Sequence, residues 1–444
     1  MTGQYIRDTA ALVAARISNI ALGILVAGIT SRWLGPEGKG ELAILSTIAS
    51  LVIVFGHLGV GDANLFHLGS GKHPARRLLD HSIGLGMALG GLYVLVLWAV
   101  FGWARPALLS DISPAAFALA VLAVPFTLTQ KYVFWVLLGM KKSYLRWAVT
   151  VLEGGVRLAL VAGLVFAGQM TVERVLGASL AVAVIACAAS ILFAARGNGA
   201  LPKLDRPLIA ASIGFGLMPY FVSWVMNLIM RADVFLVKSY LTTADVGLYS
   251  VGTNLAEKIW ILPEALSMAL FAQAAREQGE GAKRSRTPQV VRVSAFCTSI
   301  GCGLLILFAP WVILAINGPR FEASIAAFRI LMPGVGMMAV YQLLNADLVA
   351  RRRSDITLTA FLAALILNIG LNLYLIPRWG IEGAALSSSV AYAAGTGIQA
   401  LRWSRLTGTS LATLLIVRRE DFQAIARAFS GARGSASPAR SAAS

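Results

Sequence analysis

Arg32-Trp33-Leu34-Gly35-Pro36-Glu37-Gly38-Lys39-Gly40-Glu41-Leu42-Ala43 is a short polar stretch between two long apolar runs, one from about Asp8 to Ser31 and one from about Leu42 to Phe66. A second such stretch, Ser239-Tyr240-Leu241-Thr242-Thr243-Ala244-Asp245-Val246-Gly247-Leu248-Tyr249-Ser250, again joins two apolar runs. Leu34 to Gly40 and Leu241 to Gly247 are equally spaced, so a shift of 207 residues superposes them. The chain uses one turn twice, in two related halves.

Everything around these turns reads as membrane protein. Hydrophobic residues make up 57% of the 444 and charged ones 13%, with a mean hydropathy of +0.74; a soluble domain is about 25% charged. A helix needs about 20 apolar residues to cross the hydrocarbon core. Spans are expected near 8–31, 42–66, 82–104, 114–140, 148–168 and 172–195, then 208–238, 246–274, 293–316, 324–349, 355–377 and 380–401. The expected class is an all-α bundle of about twelve transmembrane helices, because backbone groups in lipid must be satisfied within each segment.

The net charge of +17 would suggest nucleic acid in a soluble protein, but here the basic residues collect in alternate loops. One set holds Arg7; Lys72, Arg76 and Arg77; Lys141, Lys142 and Arg146; Arg196, Lys203 and Arg206; Arg276 to Arg292; Arg351 to Arg353; and the arginines after residue 401. The other holds only Arg32, Lys39, Arg105, Arg174, Arg231, Lys238, Arg320, Arg329 and Arg378. The positive-inside rule then places both termini in the cytoplasm and both turns outside. An even number of spans separates the turns, which makes the halves a parallel repeat about an axis along the membrane normal. Gly139-Met140-Lys141-Lys142-Ser143 and Ala350-Arg351-Arg352-Arg353-Ser354 echo one another in the same sense.

Several classes of chemistry are absent from the pattern. No P-loop sequence is present, and the longest internal loop, Ala275 to Arg292, is too short for a catalytic domain. Cys187, Cys297 and Cys302 sit in apolar runs without metal spacing, and His57, His67, His73 and His81 form no ligand pattern. No cleavable signal is expected, since the first apolar run exceeds a signal core. Ser410 to Phe422 reads as a short interfacial helix held by anionic lipid, and the chain from Gly431 as disordered tail.

The turns and a set of later residues resemble the oligosaccharide flippase branch (polysaccharide biosynthesis, Wzx-like) of the multidrug/oligosaccharidyl-lipid/polysaccharide exporter superfamily. The matching residues are Arg32 to Gly40; Asp233, Gly247-Leu248-Tyr249 and Pro263; and Asn368, Asn372, Ile376-Pro377 and Gly380-Ile381-Glu382-Gly383-Ala384-Ala385. Phe271-Ala272 departs from the family, where a proline often stands. The resemblance implies a MATE-like fold of two six-helix lobes, here 1–206 and 207–403 with a cytoplasmic segment at 404–444. It also implies alternating access, and as cargo a polyprenyl-diphosphate-linked oligosaccharide moved between leaflets of the inner membrane for O-antigen, capsule or exopolysaccharide assembly. Membrane lipids, and polymerase and ligase proteins, would be its partners. No cofactor and no enzymatic activity are expected, with proton or sodium coupling as the energy source.

Such a cargo has an anionic head, so cations inside the membrane are the candidate substrate-binding residues: Arg16, Lys131, Arg157 and Lys258. Charges in the bilayer cost at least about 2.5 kcal/mol each and face a bundle interior or a watery cavity. The first three are expected at a depth of roughly 12 to 14 Å, as a cationic ring. Each has a structural alternative. Arg157 follows Glu153 by one helical turn and could pair with it; Lys131 could snorkel past Lys141 and Lys142; Lys258 neighbours Glu257 and Asn254; Arg16 has only Asn19 near it. Asp62, Glu153 and Glu257 are candidate coupling carboxylates, with Glu264 and Asp347 behind them, because a buried carboxyl can exchange a proton between conformations. Arg231 and Asp233, two apart, do not share a face. Gly86 and Gly90 suit close helix packing, and Pro125, Pro219, Pro263 and Pro333 suit kinks. The rival readings are a drug or cation exporter of the same fold, a membrane-embedded enzyme acting on the lipid, and a peptidoglycan-precursor flippase.

Overall fold

A computed structural model describes residues 2–71, 73–196, 201–205, 207–209, 217–276, 287–418 and 420–421. The described helices are α1 (Thr2–Gly56), α2 (Val60–Gly69), α3 (Ala75–Leu108), α4 (Pro114–Leu122), α5 (Val124–Gly139), α6 (Ser143–Phe166) and α7 (Val172–Ala195) in the first half. The second half has α8 (Leu217–Tyr240), α9 (Thr243–Ala256), α10 (Ile261–Arg276), α11 (Thr287–Asn317), α12 (Ser324–Ala350), α13 (Ser354–Thr407) and α14 (Leu411–Leu415).

α1 and α13 are each two antiparallel arms. Gly35 (φ 69°, ψ −174°) and Gly380 (φ 59°, ψ −138°) take backbone angles open essentially to glycine alone, and the chain reverses there. The Lys39 ammonium reaches back to the Thr30 hydroxyl at 2.9 Å and the Ala27 carbonyl at 3.3 Å, which no straight helix permits. In α13, Asn368 donates to Ser388 at 3.3 Å and Gln399 to Thr357 at 2.9 Å across the arms. Pro36 opens the second arm of α1 at its first turn, where a missing N–H costs nothing. The repeated turn at Thr242 uses another device, a capping box in which Thr242 and Asp245 satisfy each other's backbone N–H groups.

Nine of the described helices are long and apolar enough to span a bilayer. Two of these are the hairpins α1 and α13, and α9 continues into α10 through a 3-10 turn at Glu257–Trp260, which together makes twelve crossings. Pro125 interrupts the expected 114–140 span between α4 and α5, and Leu58 and Gly59, both at positive φ, end the second arm of α1 before α2. The protein is an all-α, multi-pass membrane protein of two six-helix lobes.

Gly35, the Leu109–Ser113 loop, Leu241–Thr242, Gly318 and Gly380 gather on one face, here the hairpin face. On the opposite, tail face, Arg77 pairs with Asp205 at 2.7 Å, Lys203 N–H bonds the Asp80 carbonyl at 3.0 Å, and Asp205 N–H bonds His81 Nδ1 at 3.2 Å. The chain between the lobes is therefore strapped to the start of α3. The Arg77 guanidinium holds the Asp205 carboxyl below the usual carboxylate range.

The segment after α13 carries the short helix α14. It docks on the bundle: Leu414 is buried against Trp403, Val291 and Leu270, and Arg292 makes a bidentate pair with Asp421 at 2.7 and 2.9 Å. A buried carboxylate with two guanidinium bonds is held ionised, and its pKa lies below the ordinary value. Asp347, named above behind the candidate coupling carboxylates, is fully buried. It accepts from Thr287 at 3.0 Å, Trp403 at 2.7 Å and Arg351 at 2.6 Å.

The largest core crosses from one lobe to the other. Ile44 and Leu45 of α1 join Val225, Ile229, Val246, Tyr249 and Phe328 in a single buried cluster. Gly86 and Gly90 give the close helix contact that their spacing suggests: a Cβ on Gly86 would lie 2.7 Å from the Thr129 Cα, and one on Gly90 would overlap Pro125.

Candidate functional site

Among the described residues two cavities lie between the lobes, and α6 lines both. The larger, about 430 Å3, is lined by His57, Gly61, Lys131, Tyr132, Phe134, Trp135 and Arg146 of the first lobe and Tyr220 and Ser223 of α8. The smaller, about 230 Å3, is lined by Asn19, Ile20, Leu22, Gly23 and Val26 of α1, by Thr150, Glu153, Gly154 and Arg157 of α6, and by Lys258. Arg146, Thr150, Glu153, Gly154 and Arg157 are spaced by four, three, one and three residues, the spacing of one helical face. α6 therefore presents a polar stripe to the space between the lobes and apolar residues elsewhere.

The expected cationic ring is divided. Lys131 enters the larger cavity; Arg157 and Lys258 enter the smaller one; the Arg16 side chain lies outside the described residues. Depth explains the split. α6 begins at Ser143, so Arg157 stands fourteen positions along it, roughly 21 Å from the tail-face end, whereas Lys131 is eight positions, roughly 12 Å, from the end of α5.

Arg157 bonds Glu153 Oε1 at 3.0 Å, the local pair that their spacing allows, and Gln130 of α5 donates to the other Glu153 oxygen at 3.3 Å. Glu257 is paired too, not with Lys258 but with Arg231 at 3.1 Å. The Asp62 side chain lies outside the described residues. Among the described residues no carboxylate pairs with Lys131, Arg146 or Lys258. Arg146 instead stands 5.5 Å over the Phe134 ring and 5.9 Å from that of Trp147, a cation–π setting that leaves its N–H groups available.

Arg146 was legible as a basic residue of a tail-side loop and not as a cavity group. The signal that could have found it is the stripe running on from Glu153 and Arg157. Tyr220 closes one wall of the larger cavity and is held from behind: its hydroxyl donates to the Phe55 carbonyl, and the Phe55 and Trp224 rings meet edge to face at 4.1 Å.

In the second lobe, Asp233, Tyr249, Asn368 and Asn372, singled out above by resemblance, form one buried network with Ser388. Asp233 Oδ2 accepts from Tyr249 and, at 3.2 Å, from Ser388, and Asn372 donates to Asn368 at 3.0 Å. Arg231 points away to Glu257, so the two neighbours on α8 do serve different faces.

A twelve-helix, two-lobe bundle with a polar cavity between the lobes defines a polytopic membrane protein of MATE-like fold. Residues 29–326 match the model of the polysaccharide biosynthesis protein family, and the chain belongs to that family. It is 24% identical over 201 residues to the probable low-salt glycan biosynthesis flippase Agl15 of Haloferax volcanii, a match over 43% of this chain and 39% of that protein. The matched segment thus spans well under half of the curated relative.

Among solved structures, the lipid II flippase MurJ in an inward closed conformation aligns over 95% of this chain and 96% of its own, with a TM-score of 0.72 and 11% identity. An inward-facing multidrug resistance MATE transporter aligns over 88% and 96%, with 0.67 and 14%. A transporter of the same superfamily from Pyrococcus furiosus, described as having a binding pocket of reverse polarity, aligns over 91% and 95%, with 0.65 and 14%. At these identities the structural likeness shows the fold. The family is thus that of polysaccharide biosynthesis proteins, and the fold is the one shared by these MATE-like membrane proteins.

Proposed function

We propose that the protein carries a polyprenyl-diphosphate-linked oligosaccharide from the cytoplasmic to the periplasmic leaflet of the inner membrane, for O-antigen, capsule or exopolysaccharide assembly. The observation that carries this reading is the charge of the space between the lobes. Lys131, Arg146 and Lys258 line it unpaired among the described residues, while Glu153 is matched by Arg157 and, nearby, Glu257 by Arg231. An anionic head leaving water needs cations in place of its hydration, and an unpaired cation in a membrane protein needs an anion or water. A cavity for a cationic drug would carry the opposite sign. The glycan-flippase relative and the lipid II flippase of the same fold support the cargo class.

In this reading the tail face is cytoplasmic. Arg76, Arg77, Lys141, Lys142, Arg351, Arg352, Arg353 and Arg418 lie on it, as the positive-inside rule asks. The lobes divide at residues 206 and 207, and the segment from 404 lies on the cytoplasmic side. Polymerase and ligase proteins would take the cargo on the far side. Lys131, Arg157, Lys258 and Arg16 are its substrate-binding residues. Asp62, Glu153 and Glu257 are the groups through which a proton or sodium gradient would act, and the last two must first release Arg157 and Arg231.

Complementation tests the reading. In a strain lacking its own polysaccharide flippase, the wild-type chain restores surface polymer and Lys131→Glu with Arg146→Glu does not, at matched membrane abundance. Restoration of drug resistance without polymer by the wild type overturns it.

A further inference from the structure

The two cavities differ in a way that divides the cargo between them. Resting on the function just proposed, we infer that the larger cavity is a diphosphate subsite built by Lys131 and Arg146, and that the paired Arg157 in the smaller cavity does not hold phosphate. The first observation is charge. Lys131 and Arg146 come from antiparallel neighbours α5 and α6, both line the larger cavity, and among the described residues no carboxylate lines it with them. A diphosphate offers several acceptor oxygens, which a guanidinium and an ammonium meet in complementary ways, the one as a planar fork and the other as a point charge.

The second observation is the occupancy of the other arginine. Arg157 spends a guanidinium nitrogen on Glu153 at 3.0 Å. For phosphate to bind there, it would have to compete with a carboxylate already bonded and approach that carboxylate's negative charge. Glu153, Thr150 and Asn19 are instead the acceptors and donors that hydroxyl-rich rings use. Fourteen positions separate the start of α6 from Arg157 and three separate it from Arg146, so the two arginines are offset by roughly 16 Å along the helix.

The third observation is the wall. Trp135, Phe134 and Tyr220 line the larger cavity, and its 430 Å3 falls in the size range of small-molecule pockets, about 300–1,000 Å3. The headgroup thus enters phosphate first, at the tail-face half. Its sugars extend along the α6 stripe towards Arg157 and Lys258, between the lobes.

The test uses the full-length protein in lipid nanodiscs, with farnesyl diphosphate as the sugar-free probe and farnesol as its uncharged counterpart. The expected result is preference for farnesyl diphosphate over farnesol by at least about tenfold, lost in Lys131→Ala with Arg146→Ala, partly kept in Arg146→Lys, and reduced less by Arg157→Ala than by the Lys131 and Arg146 double change. All variants are checked for unaltered thermal unfolding and gel-filtration profile. Arg146→Gln takes the place of any variant that fails this check. If Arg157→Ala or Lys258→Ala abolishes the preference and the Lys131 and Arg146 changes do not, the subsite assignment is wrong while an anionic cargo stands. If the wild type shows no preference for the diphosphate, the assignment and the proposed function fall together.

Discussion

Gly40 and Gly247, equivalent residues of the two copies of the repeated turn, are packed against each other across the lobe interface. A Cβ on Gly40 would overlap the Thr243 carbonyl oxygen and lie 3.0 Å from the Gly247 nitrogen. One on Gly247 would overlap the Pro36 carbonyl oxygen and lie 2.9 Å from the Gly40 nitrogen. Pro36 and Thr243 are themselves equivalent under the shift that superposes the turns. The contact is therefore reciprocal, as at a two-fold axis, and it marks where the axis relating the lobes leaves the hairpin face.

That contact predicts the effect of a single methyl group. Gly40→Ala and Gly247→Ala each force the two turns apart, at a cost of about 1–3 kcal/mol to the closed arrangement. Spin labels at Glu37 and Ala244 should report a longer and broader distance in either variant than in the wild type, with transport reduced. An unchanged distance means that the turns do not close the hairpin face.

The hairpin reversals predict a different outcome at Gly35 and Gly380. Alanine at either position is strained by about 1–3 kcal/mol whatever room surrounds it, whereas Gly23, helical and with open space beside it, accepts alanine freely. Thermal unfolding in detergent should fall for Gly35→Ala and Gly380→Ala and stay level for Gly23→Ala.

Two further contacts lock the hairpin face. Arg32 donates to the carbonyls of Ala315 and Ile316 at the end of α11, and Lys238 pairs with Asp111 at 2.6 Å, with Thr243 bonded to both. The Lys238 and hydroxyl bonds lower the Asp111 pKa to about 2. A depressed carboxylate pKa contributes stability above the ordinary value of 3.8 that is lost as pH falls through about 2. Asp111 is more than half exposed, so the pair contributes less than about 1 kcal/mol. A cysteine cross-link between residues 111 and 243 cannot be used without removing the pair. The distance from Ser110 to Ala244 should instead stay constant from pH 8 to pH 4 and lengthen in Lys238→Ala. Lengthening of the wild type at pH 5 contradicts the assignment.

On the tail face, Asp347 gathers Thr287, Trp403 and Arg351 and so ties α11, α12 and the second arm of α13 together. Asp347→Ala strands a buried indole N–H and a hydroxyl. Hydrogen bonds to a charged group contribute about 1.5–3 kcal/mol each, so losing those from Trp403 and Thr287 is expected to cost roughly 3–6 kcal/mol, with a smaller loss for Trp403→Phe. Thermal unfolding of the two single variants and their combination checks this: the double variant should lose less than the two singles summed, because they share one bond.

The sequence alone determined the membrane class, the order of the crossings, the duplication and the gathering of basic residues in alternate loops. Each of these is local: an apolar run long enough to span, a turn repeated at fixed spacing, a charge left in water. It also held the Glu153–Arg157 pair, since one helical turn fixes that meeting without help from the rest of the chain. Only the tertiary structure decided that Gly40 touches Gly247, that Arg146 joins Lys131 while Arg157 stays apart, that Asp233 meets Ser388 from 155 residues away, and that Asp421 returns to Arg292. In lipid most faces of a spanning helix are apolar, so periodicity gives little indication of which face turns inward. Helix rotation is set by close packing with partners distant in sequence, and it decides which charges share a cavity.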